Sequence, residues 1–197
     1  MIVVNLRGTN GAGKSSIPFS MEDDPKKEII TKPYHDRPRK ILTVYPSYGW
    51  VVLGAYKLRS GGMDRFDDTA LIKKSFWYAL KKYPDYNLIM EGIICSTVFS
   101  TYRDLFLEAE AKYPNVQVHV VHLLPPLEVC IQRVQERNGG KEVKEDLIAD
   151  KYGKVQRTVQ TFKDAGLNSW AWDNSHTTDE KLIYQLEDEI RKHGGKI

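Results

Sequence analysis

A buried strand that runs into a glycine-rich loop, and from there into a helix, admits few folds, and residues 1–20 carry that pattern. Residues 2–7, Ile-Val-Val-Asn-Leu-Arg, are largely apolar and begin with three β-branched residues, as a short buried strand does. Gly8, Thr9, Asn10, Gly11, Ala12, Gly13, Lys14 and Ser15 then fill G-x-x-x-x-G-K-[ST] at every position, with Ser16 following. A helix is expected from near Gly13, shortened by Pro18 and ended before Asp23-Asp24-Pro25. Strand, loop and helix in this order suit a parallel sheet covered by helices, with the loop at the carboxyl edge of its strand.

The loop's composition has a physical reason. Glycines let backbone N–H groups converge on phosphate oxygens, and a helix start adds partial positive charge. Lys14 is expected to reach the β- and γ-phosphates of a nucleoside triphosphate, and the Ser15 hydroxyl to ligate Mg²⁺. A chance match in a chain this long is about one in a hundred. This one also sits between a strand and a helix, so a plain glycine turn is set aside. No N-K-x-D run is present, which disfavours a guanine-nucleotide switch. Leu88-Ile89-Met90 leads not to an aspartate but to Glu91, at the carboxyl edge of a second buried strand. There Glu91 can join the Mg²⁺ shell or accept a proton from a hydroxyl. A carboxylate capping the next segment is the plainer alternative.

The rest of the chain alternates. Residues 28–58 look extended, with "ILTVYP" and "WVVLGAY" forming a hairpin about Ser47-Tyr48-Gly49, and residues 60–66 read as a loop. Further strands are expected at 86–92, 116–124 and 169–175. Helical spacing predicts helices over about 67–83, around Val98 to Tyr113, over 125–140, over 143–165 and over 177–195. In the 143–165 helix, Leu147, Ile148, Tyr152, Val155, Val159 and Phe162 are expected to face inward, with Gly166 as cap. The expected fold class is α/β: one domain over 1–197, three layers, a parallel sheet with helices on both faces.

Composition excludes more than it assigns. A net charge of +3 is too weak a basic surplus to demand a nucleic acid. Cys95 and Cys130, the only cysteines, are expected to be buried small side chains rather than a disulfide framework or a zinc site. No apolar run is long enough to span a bilayer and no signal-peptide pattern opens the chain, so it reads as cytosolic, with no membrane partner.

After the 116–124 strand, Pro125-Pro126 opens "LEVCIQRVQERNGG", where Arg133 and Arg137 lie four apart on one helical face. Phosphoryl transfer needs positive charge at equatorial oxygens, and a mobile segment bringing arginines over the phosphates would also exclude water. A solvated basic face is the alternative. The loop 8–15, the strand ending in Glu91-Gly92 and "HLLPPLEVCIQRVQERNGG", in that order, resemble the small P-loop kinases of the nucleoside and nucleotide kinase superfamily. That resemblance implies ATP as donor, a lid over about 137–150 served by Arg133 on the helix leading into it and by Arg137, and residues Trp172 to Ser175 close to the adenine. Pro18 in the first helix, and a glutamate where many members have aspartate, depart from the pattern.

By the same resemblance, residues 28–66 occupy the acceptor site. Lys32, His35, Asp36, Arg37, Arg39, Lys40, Trp50, Tyr56 and Arg65 mix cations with aromatic faces, which suits a nucleotide, free or within a strand. An exposed hairpin with an aromatic packing face is the alternative. Gly61-Gly62 would permit close backbone approach, and Asp64 can orient a hydroxyl or cap the following helix. The stretch "LGAYKLRSGGMD" also resembles kinases of bacterial viruses that phosphorylate 5-hydroxymethyluracil in DNA. Four readings follow: transfer from ATP to a modified uracil in DNA, transfer to a free nucleoside or nucleoside monophosphate, a regulatory or motor-like ATPase without an acceptor, and a DNA-binding protein without catalysis, which the weak net charge disfavours. In the first two, Lys14, Arg133 and Arg137 neutralise the moving group, and Glu91 or Asp64 is the base.

Overall fold

The computed structural model describes residues 1–56, 62–66, 68–92, 96, 98–177 and 182–197. The elements are β1 (Ile2–Arg7), α1 (Ser16–Phe19), β2 (Glu28–Tyr34), β3 (Arg37–Tyr45), β4 (Trp50–Leu53), a 3₁₀ turn (Gly62–Arg65) and α2 (Thr69–Lys82). They continue with β5 (Asn87–Glu91), α3 (Ser100–Lys112), β6 (Gln117–Leu123), α4 (Leu127–Arg137), α5 (Glu145–Asp164), β7 (Asn168–Trp172) and α6 (Leu182–Lys192). The strands form one sheet in the order β2-β3-β4-β5-β1-β6-β7. β4, β5, β1, β6 and β7 run parallel, while β3 and β2 add an antiparallel edge. The expected parallel sheet is therefore mixed, because the hairpin expected within 28–58 is the β3–β4 pair and β2 extends it to a three-stranded meander.

β1 is the middle of the parallel set, with every residue buried, as an apolar strand covered on both faces must be. Its side chains alternate between two cores. Val3 joins the cluster under α2 and α3, with Phe76 and Phe106 fully buried; Ile2, Val4 and Leu6 join the one under α1, α4 and α6. Helices thus cover both faces.

Several element boundaries differ from the sequence expectation. α1 is a single turn starting at Ser16, three residues after Gly13. Pro18, lacking an N–H and fixing φ, sits at its third residue, and turns carry the chain on to Asp24. α2 starts at Thr69, where Asp68 accepts from the Leu71 N–H at 2.8 Å, so the capping role open to Asp64 belongs to Asp68. Leu147, expected inward, is 50 % exposed: it lies a residue short of Ile148, where α5 first meets the core. Cys130 is buried as expected, and burial pushes its thiol up to about 11; Cys95, Gly61 and Asp67 lie outside the described residues.

Candidate active site

The loop of residues 8–15 leaves β1 at the carboxyl edge of the parallel strands, beside the end of β5, where Leu6 pairs with Glu91. The Lys14 side chain curls back over the loop and is 7 % exposed; its ammonium donates to the Gly8 carbonyl at 2.9 Å and the Thr9 carbonyl at 3.0 Å. Gly13 has φ +90°, and a Cβ there would meet Asn174 Nδ2 at 2.7 Å, so only glycine fits. The amides of Gly8, Ala12 and Ser16 donate inside the protein, to Ser96 Oγ, the Thr9 carbonyl and the Gly13 carbonyl. A cradle for phosphate oxygens therefore draws on the rest of the loop. The one-turn α1 also supplies far less axial dipole than the longer helix such loops ordinarily precede.

Glu91 is the hub. Its carboxylate, 1 % exposed, accepts from Tyr56 Oη at 2.6 Å and from Ser15 Oγ at 3.3 Å. Burial raises its pKa above the usual carboxylate range, against the pull of the Lys14 ammonium and the Tyr56 hydroxyl. Asp64, on the 3₁₀ turn, adds to the rise through its own charge. Gly62 makes this packing possible: a Cβ there would run into the Glu91 carboxylate and lie 2.8 Å from the Tyr56 hydroxyl. Asp64 Oδ1 approaches Gly92 just as closely, 2.8 Å from where a Cβ would stand. Residues 14, 15, 56, 64 and 91, scattered in sequence, are thus brought together; Arg65 sits exposed beside Asp64.

The two arginines diverge. Arg133 is half-buried and donates to the carbonyls of Asn174 at 3.2 Å and Ser175 at 3.5 Å, with Nη1 3.8 Å from a Cβ placed on Gly13. Arg137, one turn on, ends α4 in an exposed position and leads into the exposed run 138–142. Thr9 Oγ1 donates to the Ile148 carbonyl at 3.0 Å, which ties the loop to α5 at the far end of that segment. Of residues 172–175, Trp172 packs in the core, whereas Asn174 Nδ2 donates to the Ala12 carbonyl at 3.0 Å.

Two contributors escape sequence reasoning. Arg7 is fully buried and donates to the carbonyls of Ser96 at 2.9 Å and Val98 at 3.2 Å, with its guanidinium 4.7 Å from the Phe162 ring centroid. Ser96 Oγ takes the Gly8 N–H at 3.3 Å and donates to the Gly92 carbonyl at 2.8 Å. Together they fix the start of the phosphate loop against the end of β5. The signal available was an arginine closing an otherwise apolar strand.

Arg37 and Arg39 lie on the β2–β3 ribbon. Leu42 is the last β3 residue paired with β4 and Ile41 still takes the Gly54 N–H at 2.7 Å, so Arg37 to Lys40 extend past the edge at which Glu91 ends. Arg37 is exposed and Arg39 half-buried. Ile41 is an extra residue between the Ile30–Leu42 and Thr31–Lys40 pairs, a bulge that bends the ribbon. Tyr34 Oη reaches the Asp68 carboxylate at 2.7 Å and fastens the ribbon to the start of α2. The oxygens of Ser15 and Glu91 suit a hard divalent cation that keeps waters and takes further ligands from a nucleotide. Among the described residues, no three His, Cys, Asp or Glu side chains form a metal cluster, and no helix is long and apolar enough to cross a membrane.

Comparison with known proteins follows the same outline. The chain is 43 % identical over 182 residues to the 5-hmdU DNA kinase of Bacillus phage SP10, covering 89 % of this chain but 27 % of that protein's length. It is 34 % identical over 161 residues to 5-hmdU DNA kinase 1 of Salmonella phage ViI, covering 80 % of this chain and 69 % of the relative. The 5-hmdU DNA kinase of Pseudomonas phage M6 is 31 % identical over 173 residues, covering 85 % and 86 %. Among solved structures, deoxyadenosine kinase from M. mycoides aligns with a TM-score of 0.43 at 13 % identity, covering 96 % of this chain and 98 % of that one. Shikimate kinase from Acinetobacter baumannii aligns at 0.44 and 12 %, covering 98 % and 95 %. The family model described as 5-hmdU DNA kinase matches residues 3–168, from β1 to the start of β7 and so through every element that meets at Glu91: the chain belongs to the 5-hmdU DNA kinase family.

Proposed function

We propose that this chain transfers the γ-phosphate of ATP to the hydroxymethyl oxygen of 5-hydroxymethyl-deoxyuridine in DNA. The observation that carries the reading is the contact of Ser15 with the buried Glu91 carboxylate at the mouth of the phosphate loop, with Lys14 and Arg133 on the loop's other sides. Backbone amides of residues 9–15 other than Ala12 receive the triphosphate, and Lys14 exchanges its two carbonyl partners for β- and γ-phosphate oxygens. Ser15 and Glu91 would hold Mg²⁺, which supplies charge neutralisation on the phosphates when bound. Arg133, anchored on the Asn174 and Ser175 carbonyls, is positioned to neutralise the transferring group, and Arg137 joins it when the 137–150 segment folds over.

Glu91 and Asp64 divide the acid–base work by position. The Glu91 oxygen already carries the Ser15 and Tyr56 hydroxyls. Asp64 is exposed on the acceptor side, so it takes the proton of the acceptor hydroxyl. The new P–O bond forms to the hydroxymethyl oxygen, the bond from γ-phosphorus to the bridging oxygen breaks, and ADP leaves. Tyr56, Arg65, Arg37 and Arg39 line the way in for the DNA.

Radiolabelled ATP offered with three acceptors tests this: DNA containing 5-hydroxymethyluracil, the same DNA with thymine, and free hydroxymethyl-deoxyuridine mononucleotide. Label is expected on the first alone at low acceptor concentration. Label confined to the mononucleotide, or phosphate released to water regardless of acceptor, sinks the reading.

A further inference from the structure

The bent β2–β3 ribbon and α2 enclose a cleft of about 190 Å³ that the phosphate site does not use. Its helix wall is one face of α2: Leu71, Lys74, Ser75 and Tyr78, at steps of three, one and three residues. Its ribbon wall is Lys32 and Tyr34, two apart on β2, with Pro33 and the bulge residue Ile41. The lysines brace the cleft reciprocally. Lys32 Nζ, from the ribbon, lies 5.0 Å from the Tyr78 ring centroid on the helix, and Lys74 Nζ, from the helix, lies 5.2 Å from the Tyr34 ring centroid. Both lysines are exposed. Ser75 is 1 % exposed, and its buried hydroxyl has no hydrogen-bond partner among the described residues. A serine within a helix ordinarily satisfies that hydroxyl on a carbonyl one turn back; here it lines the cleft instead.

We propose that this cleft seats a nucleotide of the acceptor strand flanking the modified one, an inference that rests on the reading of the chain as a DNA kinase. The chemistry matches part by part. A nucleobase is a flat ring that needs an apolar wall and one or two hydrogen bonds at its edge, which Ile41, Leu71 and the Ser75 hydroxyl supply. Its phosphates are anions that stay in solvent, where the Lys32 and Lys74 ammoniums stand. The position also fits. Asp68, which holds Tyr34, follows Asp64 by four residues, so the Cα atoms of the two aspartates lie within about 14 Å of each other and the Tyr34 end of the cleft is held near the acceptor carboxylate. A strand whose hydroxymethyl group reaches Asp64 passes the cleft within a few nucleotides.

The test compares kcat/KM for a single-stranded 12-mer carrying one central 5-hydroxymethyluracil with that for the mononucleotide, in the wild-type chain and in Lys32→Gln/Lys74→Gln. Glutamine keeps the stems on the two rings and removes the charges, and a matching thermal midpoint shows that the fold is kept. The advantage of the 12-mer should shrink about tenfold, and the log–log salt dependence of its KM should lose about 1.4 in slope, the share of two phosphate contacts on a single strand. Ser75→Ala, which leaves the charges, should cut the same advantage about threefold without changing the salt slope. A double variant with the wild-type length advantage and salt slope overturns the cleft proposal while leaving the kinase reading in place. A wild-type chain that labels no hydroxymethyluracil DNA overturns both.

Discussion

The two halves of the proposed catalytic edge are built differently. On the donor side, the loop of residues 8–15 mixes buried and half-buried residues and is stitched to distant parts of the chain: Ser96 holds Gly8, Ile148 holds Thr9, and Asn174 holds Ala12. On the acceptor side, the β2–β3 ribbon projects past the sheet and is fastened to α2 by Tyr34 on Asp68 and by two lysine–ring contacts. A triphosphate is small, and every molecule of it is alike, so its site can be closed and fixed. A base within a polymer has to arrive with its neighbours attached, so its site must stay open along one direction. The difference predicts that damage on the donor side falls on turnover and damage on the acceptor side on KM for DNA.

The largest effect is expected from Lys14→Ala. Its ammonium is the only side-chain charge the loop itself carries, and losing a preorganised cation at developing charge costs on the order of a thousandfold in kcat. The thermal midpoint should shift far less than turnover, since the fold loses bonds to the Gly8 and Thr9 carbonyls and the ammonium's pull on the buried Glu91 carboxylate, which can stay protonated instead. A variant with normal turnover would contradict the donor-side assignment outright.

Glu91→Gln should follow, with about a hundredfold loss of kcat, and with a signature that separates chemistry from structure. The Glu91 pKa is raised by burial. A carboxyl whose folded pKa lies above its unfolded value stabilises the fold at low pH, and that contribution is lost as pH rises through the folded pKa. At pH 8 the ionised form is therefore a burden on the fold, and glutamine should raise the thermal midpoint while lowering activity. Wild-type kcat/KM should fall on the acid side at a pH above the ordinary carboxylate range, as Glu91 takes up its proton. A midpoint that drops in Glu91→Gln would show that the carboxylate is chiefly structural.

A third effect tests the donor side's foundation. His119 and His122 on β6 are buried and held neutral. Burial, then His193, lowers the first to about 4, and burial, then Arg7, lowers the second to about 3. Their ring nitrogens meet Trp170 Nε1 at 3.2 Å and Ser169 Oγ at 3.0 Å, so they bind β6 to β7, the strand that carries Asn174 to the phosphate loop. Histidines with depressed pKa values stabilise the fold above the unfolded value near 6.5, and that stability is lost as pH falls towards the folded values. By pH 5 each should cost about 2 kcal/mol. Urea unfolding between pH 7.5 and 5 should show the loss, and His119→Gln should remove about half of its slope. A flat profile would mean that these rings are solvated.

The same contrast explains what could be read in the sequence. The loop of residues 8–15 stood out because cradling a triphosphate would need glycines, a lysine and a serine at fixed spacing, and local spacing survives in a sequence. Glu91 was legible because it ends an apolar run. The alternation of strands and helices gave the sheet, but not the antiparallel edge. Polar and exposed β2, with Ile29 on its open side, carries no buried run that would separate it from loop. Arg7 with Ser96, Thr9 with Ile148 and Tyr34 with Asp68 were not legible, since each pair joins residues more than thirty apart in sequence and only tertiary packing brings them together. Leu147 shows the converse error: a hydrophobic residue in a helical period was assigned to a face that the neighbouring elements do not cover.

Tyr34→Phe should have the smallest effect and draws the finest line between the halves. It removes the hydroxyl that Asp68 holds but leaves the ring under Lys74 and the Asp68 cap on the Leu71 amide. If the ribbon's anchoring serves the acceptor, KM for hydroxymethyluracil DNA should rise about two- to tenfold, the value of one hydrogen bond to a carboxylate shared between holding the ribbon and holding DNA. kcat at saturating DNA and KM for ATP should stay within twofold, because the loop of residues 8–15 is tied to Ser96, Ile148 and Asn174 and not to the ribbon. If instead kcat fell with KM unmoved, the ribbon would be mechanically continuous with the donor site through the 3₁₀ turn, and the division between a closed half and an open half would have to be given up.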